Sequence, residues 1–179
     1  MKNRQFLRIA RATALILVFV AGVATAADTP DAWVTIKTKV SLITTEGLST
    51  RDLNVDTVNG VVTLHGKVAT EAEKTKAEDI ASRIEGAKEV KNLLQVVPSA
   101  QRAVVQRSDD AIKKSVEAAF KANRRVNPSG IEVASVNKGV VLLSGKTKSL
   151  EAHLESIEVA NAVRGVRRVS TGVEVRPAS

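Results

Sequence analysis

The sequence contains no cysteine and no tyrosine among its 179 residues. Without cysteine the chain cannot form disulfides, thiolate metal sites or the cysteine-linked lipid anchor of a lipoprotein. Each folded unit must therefore be stabilised by its apolar core, and we expect an unlipidated product.

Aromatic and imidazole side chains are also scarce. After residue 26 only Trp33 and Phe120 are aromatic, which is too few for the base-stacking platform of a nucleic-acid-binding protein. The two histidines, His65 and His153, cannot form a closed zinc site without several carboxylates. We expect them at surface or edge positions, and we expect no metal and no nucleic-acid partner.

The first 26 residues have the pattern of a secretory signal peptide. Four basic residues lie within the first 11, an apolar run follows at 12–23, and Ala24-Thr25-Ala26 provides a small-residue cleavage site. The apolar run is short for a bilayer span, which needs roughly 20 apolar residues. We expect cleavage and a soluble exported product, with an uncleaved anchor as the alternative.

The rest of the chain is an internal repeat. The segment VNGVVTLHGK at 58–67 recurs as VNKGVVLLSGK at 136–146. Asn59 matches Asn137 at an offset of 78 and Gly60 matches Gly139 at 79, so Lys138 is interpreted as one residue added in a turn. A period near 80 residues is too long for a solenoid repeat and indicates a duplicated small domain.

Each copy is predicted to open with an amphipathic helix. In the first copy Thr29 is the expected N-cap and Pro30 the first helical residue. In the second copy Ser108 is the expected N-cap, with Asp109 and Asp110 in the first turn. The apolar positions expected to face the core are Val34, Ile36, Val40 and Ile43 in copy one, and Ile112, Val116, Ala119 and Phe120 in copy two.

A β-hairpin, a second helix and a last strand should follow. Asn59-Gly60 suits a two-residue hairpin turn, and the second copy is expected to have a turn one residue longer. Thr70 with Glu73 forms a capping box, and Ser149 is the matching cap. Last strands are expected at 90–97 and 166–175, each returning parallel after its helix.

The predicted fold is therefore α+β, with tandem domains at 29–97 and 108–176. Each has the order helix-strand-strand-helix-strand, and each three-stranded mixed sheet is covered on one face by two helices. Residues 98–107 are interpreted as a linker that is either a loop or a short strand. Because each copy is small, the two copies are expected to dock on each other.

Three glycines of the first copy recur in the second, and all six have structural explanations. The first pair should make hairpin turns, the second should let the chain swing from strand to helix, and the third should be helix C-caps. In that order the pairs are Gly60 and Gly139, Gly66 and Gly145, and Gly86 and Gly165.

These patterns resemble the BON domain family. The resemblance rests on the segments DAWV at 31–34, NGVVTLHG at 59–66 and EGAKEVKN at 85–92, and on their counterparts SDDAI at 108–112, GVVLLSG at 139–145 and RGVRRV at 164–169. It covers nearly the whole chain after the signal peptide. Thr38 departs from the family pattern, since a large apolar residue is common there in the first helix.

The resemblance implies a periplasmic protein associated with envelope or osmotic stress, with an affinity for phospholipid membranes and no catalytic site. No set of nucleophile, base and orienting group occurs in both copies. We therefore expect no enzyme activity, no cofactor and no small-molecule substrate. A holdase chaperone or an adaptor for other envelope proteins is the alternative.

The charge distribution suggests which copy meets a membrane. Residues 28–98 carry a net charge of −2 and residues 99–179 carry +6. Basic residues beside an amphipathic helix can hold an anionic lipid surface, although an ordinary solvated surface is the alternative. The candidate lipid contacts, all in the second copy, are Lys113, Lys114, Lys121, Arg124, Arg125, Arg164, Arg167 and Arg168.

Overall fold

The computed structural model describes residues 29–176, so the expected signal peptide lies outside the described residues. The first domain contains α1 (Asp31–Ile43), β1 (Leu53–Val58), β2 (Val61–Val68), α2 (Glu71–Ser82), β3 (Glu89–Asn92) and β4 (Gln95–Val96). The second contains α3 (Arg102–Ala122), β5 (Ile131–Asn137), β6 (Val140–Thr147), α4 (Leu150–Asn161), β7 (Arg168–Thr171) and β8 (Glu174–Val175). Among the described residues, no helix is both long and apolar enough to span a bilayer.

Both sheets have the predicted mixed topology. In each domain the first two strands pair antiparallel, and the chain then returns after the second helix to pair parallel with the central strand. We expected the returning strand to be continuous, but it is interrupted in both domains. It divides into β3 and β4 in one domain and into β7 and β8 in the other, and both parts of each pair lie against the same central strand.

Each domain has its own apolar core between its sheet and its two helices. In the first domain Val34 and Leu42 of α1 and Ala77 of α2 pack with Val62 and Leu64 of β2 in one buried cluster. The second domain has the corresponding cluster, which includes Ile112, Val116, Phe120, Val141, Leu143 and Ala160. Both helices therefore cover one face of the sheet, as predicted.

The buried face of α1 differs from the predicted one. Val34, Thr38 and Leu42 face the core, whereas Ile36, Val40 and Ile43 are exposed. Thr38 is tolerated because its hydroxyl donates to the Val34 carbonyl at 2.8 Å, which satisfies the buried polar group locally. The helix also begins one residue later than expected, with Pro30 as an N-cap that forms no side-chain cap hydrogen bond.

The extra residue of the second copy lies in a strand and not in the turn. Both hairpins turn through two residues with positive φ, Asn59-Gly60 and Lys138-Gly139, the type that matches strand twist. The register of β5 against β6 shifts between Val133 and Ser135, so Ala134 is a bulge residue. The prediction of a longer turn was wrong because sequence matching alone aligned Asn137 with Asn59.

Gly66 and Gly145 lie inside the central strands and not at a strand-helix junction. Their φ values are +123° and +120°, and a Cβ atom on Gly66 would lie 1.9 Å from the Asp52 carbonyl oxygen. The close approach of a neighbouring backbone therefore requires glycine. Gly86 and Gly165 also differ from expectation, because each lies beyond the C-cap residues Arg83 and Ala162.

The segment between the copies is helical. Residues Ser99–Gln101 form a 3₁₀ turn, and α3 then runs without a break from Arg102. The expected loop or strand at 98–107 and the expected cap at Ser108 were both wrong, because no helix breaker follows Pro98 in this interval and the added turns contact the first domain. The caps at Thr70 and Ser149 are confirmed, accepting from the Glu73 and Ala152 amides at 3.1 and 3.0 Å.

Candidate functional site

The two domains pack through the helix-free faces of their sheets. Along β2, Val62 and Leu64 face the core of the first domain, while Thr63, His65 and Lys67 face the other way and are nevertheless buried. The second domain covers them, since β2 contacts β5. The expected docking of the two copies is therefore present, and the interface is polar.

A buried ion pair lies in this interface. The Lys67 ammonium is 3.0 Å from the Asp109 carboxylate and donates to the Gln106 side-chain oxygen at 2.8 Å. The exposed fractions of the two charged side chains are only 6% and 2%. Both charges are removed from water, so each depends on the other for compensation.

Asp109 also forms hydrogen bonds with the hairpin turn of its own domain. Its carboxylate accepts from the backbone amides of Lys138 and Gly139 at 2.9 and 3.0 Å. Asp31 makes the same contacts with Asn59 and Gly60 in the first domain, at 2.7 and 2.8 Å. The expectation that Asp109 serves a helix N-terminus was wrong, because α3 begins seven residues earlier at Arg102.

The first turns of α3 add a second link between the domains. The Arg102 guanidinium lies 2.7 Å from the Asp52 carboxylate, and Gln106 contacts Lys67 as described above. The Lys138 ammonium further donates to the Val96 carbonyl at 3.3 Å. The linker helix and the turn of the second domain therefore both hold the first domain in place.

His65 is buried at the interface and not at the expected surface or edge position. Its Nε2 atom lies 2.9 Å from the Asp56 carboxylate, and its Nδ1 atom is buried without a hydrogen-bond partner among the described residues. The hydrogen bond from His65 holds the pKa of Asp56 below its ordinary value. His153 is partly buried and lies 2.9 Å from the Thr171 hydroxyl.

The contact between His65 and Asp56 should make the free energy of unfolding depend on pH in the acid range. Because folding lowers the pKa of Asp56, the pair stabilises the fold above the unfolded-state pKa of about 3.9, and this contribution is lost as the pH falls through the folded-state pKa. Asp56→Asn should therefore cost under about 1 kcal/mol at pH 7, since Asp56 is half exposed. Urea unfolding of both proteins should show that difference vanishing once the pH falls below the lowered pKa of Asp56; a difference independent of pH would contradict the assignment.

The outer face of α1 is apolar. Trp33, Ile36, Val40 and Ile43 are each at least half exposed, from 52% for Trp33 to 67% for Ile43. On a helix of 3.6 residues per turn they fall within an arc of roughly 80°, opposite the buried face. We call these four residues the α1 stripe. Lys37 lies over the Trp33 ring at 5.4 Å.

The same helix face is basic in the second domain. At the offset of 78 residues, the α1 stripe corresponds to Ala111, Lys114, Ala118 and Lys121, and all four are exposed. The fold therefore does not require apolar residues here. Sequence reasoning identified the two lysines but assigned Ile36, Val40 and Ile43 to the core; the Val34, Thr38, Leu42 spacing was the available sign of the true buried face.

The structure divides the basic candidates into two groups. Arg164, Arg167 and Arg168 are exposed beside the hairpin turn, where the Arg167 amide donates to the Gly139 carbonyl at 2.8 Å. Arg124 and Arg125 are exposed beyond the far end of α3, and Arg125 pairs with Glu155 at 2.9 Å.

The two groups do not form one cluster. Gly165 lies against Ile112, and the helix continues ten residues from there to Ala122, which is about 15 Å. Lys113 is also partly neutralised, because its ammonium lies 3.9 Å from the Glu117 carboxylate. Lys114 and Lys121 lie between the two groups on the outer face.

Comparisons with known proteins agree with this two-domain arrangement. The BON domain profile matches residues 30–98 and 108–177. Osmotically-inducible protein Y of Escherichia coli K12 is 29% identical over 147 residues, which is 82% of this chain and 73% of that protein. Outer membrane lipoprotein DolP of Haemophilus influenzae is 31% identical over 117 residues, which is 65% of this chain and 59% of that protein.

Among solved structures, the chain is similar to CdsD, a structural protein of the type III secretion system of Chlamydia trachomatis. The TM-score is 0.34 at 11% identity, and the match covers 80% of this chain and 92% of that one. The two profile matches together span well over half of the sequence. The chain belongs to the BON domain family and contains two BON domains.

Proposed function

We propose that the protein is a non-enzymatic component of the bacterial periplasm that acts in envelope or osmotic stress by binding anionic phospholipid surfaces. The names of its relatives, one osmotically inducible and one an outer membrane lipoprotein, support the setting. The signal-peptide pattern at residues 1–26 supports export. The lack of a cysteine supports a protein that reaches the membrane reversibly.

The observation that carries this proposal is the contrast between the two first helices. One outer face bears the α1 stripe, and the equivalent face of α3 bears Lys114 and Lys121. Tryptophan and aliphatic side chains enter the boundary between headgroups and acyl chains, whereas lysine and arginine are attracted to anionic headgroups. The pair of domains thus offers both components of peripheral membrane binding.

The basic residues of the second domain are proposed as the main source of affinity. Each lysine or arginine near an anionic surface contributes about 1 kcal/mol. Arg124 and Arg125 extend beyond the end of α3, and Arg124 forms no ion pair within the described residues. Reversing both charges should weaken binding to anionic vesicles at least tenfold, which corresponds to about 1.4 kcal/mol.

Vesicle cosedimentation tests this proposal. Wild-type protein should bind vesicles containing phosphatidylglycerol and not vesicles of phosphatidylcholine alone, and added salt should weaken binding. Arg124→Glu with Arg125→Glu is compared with Arg83→Glu with Lys91→Glu, which reverses two exposed charges of the first domain. Equal binding to both vesicle types, or equal losses for both double variants, would refute it.

A second comparison tests whether the α1 stripe inserts into the bilayer or whether basic residues alone attract the protein to the headgroups. Ile36→Ser with Ile43→Ser removes apolar surface from the α1 stripe, while Leu150→Ser with Leu154→Ser removes it from an exposed pair on α4. The first variant should lose the blue shift of Trp33 fluorescence on anionic vesicles, and the second should retain it. If both retain it, the α1 stripe does not enter the bilayer.

Binding of exported client proteins is the alternative function. The 3-4-3 spacing of the α1 stripe is also that of a helix-packing seam, which favours a protein partner if lipid is not the ligand. Suppression of client aggregation without lipid, lost in the Ile36→Ser, Ile43→Ser variant, would favour a holdase or adaptor.

A further inference from the structure

The interface between the domains consists of two reciprocal halves. In one half, Lys67 of the central strand β2 meets α3 and β5 of the second domain. In the other half, the equivalent strand β6, with Ser144 and Lys146, faces α1 and β1 of the first domain across a cleft. The central strand of each domain therefore faces the first helix and first strand of the other domain.

The half around Lys67 is bridged by contacts between the domains, which leave a smaller space of about 300 Å³, and we call it the closed half. Lys67 bonds to Gln106 and Asp109, and Arg102 bonds to Asp52. The Asn137 amide, with its oxygen turned toward the first domain, accepts from the Gly66 amide at 3.3 Å. The partner domain thus satisfies most polar groups in this half, with the buried Nε atom of Arg102 as an exception among the described residues.

The other half is an open cleft of about 630 Å³. Lys39 and Asn54 line it from the first domain, and Glu132 and Ser144 line it from the second. Within residues 29–176, none of these four side chains forms a hydrogen bond or an ion pair. His65 also lines the cleft, and its Nδ1 atom is buried without a partner.

The cleft stays open for two structural reasons. The α3 helix extends two turns before Asp109 and supplies Arg102 and Gln106 to the closed half, whereas α1 begins at Asp31 behind Pro30. Lys146, the counterpart of Lys67, is turned toward Glu174 of its own domain at 3.5 Å. The described residues therefore leave this half of the interface unfilled.

From this arrangement we propose that the cleft binds a small zwitterion, an amino acid or a short peptide with free ends. Five charged side chains line the cleft. Asp56 is bonded to His65 and lies in the field of Lys39, and Lys146 is paired with Glu174. The two that form no hydrogen bond or ion pair within the described residues are Lys39 on the first domain and Glu132 on the second. A carboxylate beside Lys39 and an ammonium beside Glu132 would compensate both. The volume lies within the range of small-molecule sites. The sequence led us to expect no small-molecule substrate, so this proposal departs from that expectation, and the site is independent of membrane binding.

The opposite charges of Lys39 and Glu132 should also make the cleft prefer a zwitterion to a dianion or a dication. A dicarboxylate would leave Glu132 facing an anion, and a diamine would leave Lys39 facing a cation, so each gains one contact and one repulsion. Glycylglycine carries both charges at neutral pH and is long enough to reach from one wall toward the other. It should therefore bind in preference to succinate and ethylenediamine.

Amide chemical-shift titration of the full chain tests the proposal, with glycylglycine, succinate and ethylenediamine as probes. Glycylglycine should shift the amides of Thr57 and Gly145, which lie on opposite walls, and the other two probes should bind at least tenfold more weakly. Lys39→Gln and Glu132→Gln should each weaken glycylglycine binding at least tenfold. Both side chains are exposed and form no hydrogen bond or ion pair within the described residues, so the protein should still fold.

Matched controls are Lys91→Gln and Glu158→Gln, which remove exposed charges away from the cleft and should bind like wild type. The proposal is overturned if glycylglycine leaves the Thr57 and Gly145 amides unshifted, if all three probes bind equally, or if the cleft variants behave like the controls.

Discussion

Replacing Lys67 with alanine should lower the free energy of unfolding by about 3–5 kcal/mol, the cost of leaving a buried charge uncompensated. In the wild-type structure Asp109 is only 2% exposed, and the change removes its ammonium partner. Asp109 would still accept from the Lys138 and Gly139 amides, so its charge would stay in place and would not escape to water. Urea unfolding followed by circular dichroism measures the loss.

The duplication provides a matched control for this substitution. Lys146 occupies the equivalent position in the second domain but is 72% exposed and only loosely paired with Glu174. Lys146→Ala should therefore change the free energy of unfolding by under about 1 kcal/mol. Similar losses for the two variants would show that Lys67 contributes through its alkyl chain and not through its charge.

Replacing Gly66 with alanine should destabilise the protein by about 4 kcal/mol or more, within the range reserved for backbone strain and core disruption. The new Cβ atom would lie 1.9 Å from the Asp52 carbonyl oxygen and 3.0 Å from its carbon, and the residue has φ at +123°. Backbone cannot move aside as a flexible side chain can, so β1 and β2 would have to separate locally. Thermal unfolding should show a much lower midpoint.

Gly172 is the control for the alanine substitution. It lies at the break between β7 and β8, it has no positive φ, and its nearest neighbour for a Cβ is the Leu143 carbonyl at 3.8 Å. Gly172→Ala should shift stability by under about 1 kcal/mol. Gly145→Ala should behave like Gly66→Ala, because its Cβ would lie 2.1 Å from the Gly130 carbonyl.

Local patterns predicted the elements well. The capping residues Thr70 and Ser149 and the Asn59-Gly60 turn act over three or four neighbouring residues, so their sequence context contains the whole interaction. The BON fold and the mixed sheets follow from the order of these elements. The linker was harder, because its helix depends on contacts of Arg102 with the first domain.

The candidate site could be predicted only in part. Basic residues such as Lys114 and Lys121 stand out by charge. The α1 stripe was hidden because Ile36, Val40 and Ile43 have the helical spacing of core residues, and only the satisfied hydroxyl of Thr38 shows which face is buried. His65 and Lys67 are polar in sequence, and their burial comes from elements of the second domain, α3 and β5, that lie about 40 to 70 residues further along the chain.

The reciprocity of the domain contact has a consequence for the origin of the chain. Both copies retain the lysine of the central strand, Lys67 and Lys146, and the turn-binding aspartate, Asp31 and Asp109. A single-domain ancestor with these residues would form a twofold homodimer with two identical ion pairs. Fusion of two such genes makes the association independent of protein concentration. In the present chain one such ion pair joins the domains, between Lys67 and Asp109, whereas Lys146 pairs with Glu174 of its own domain.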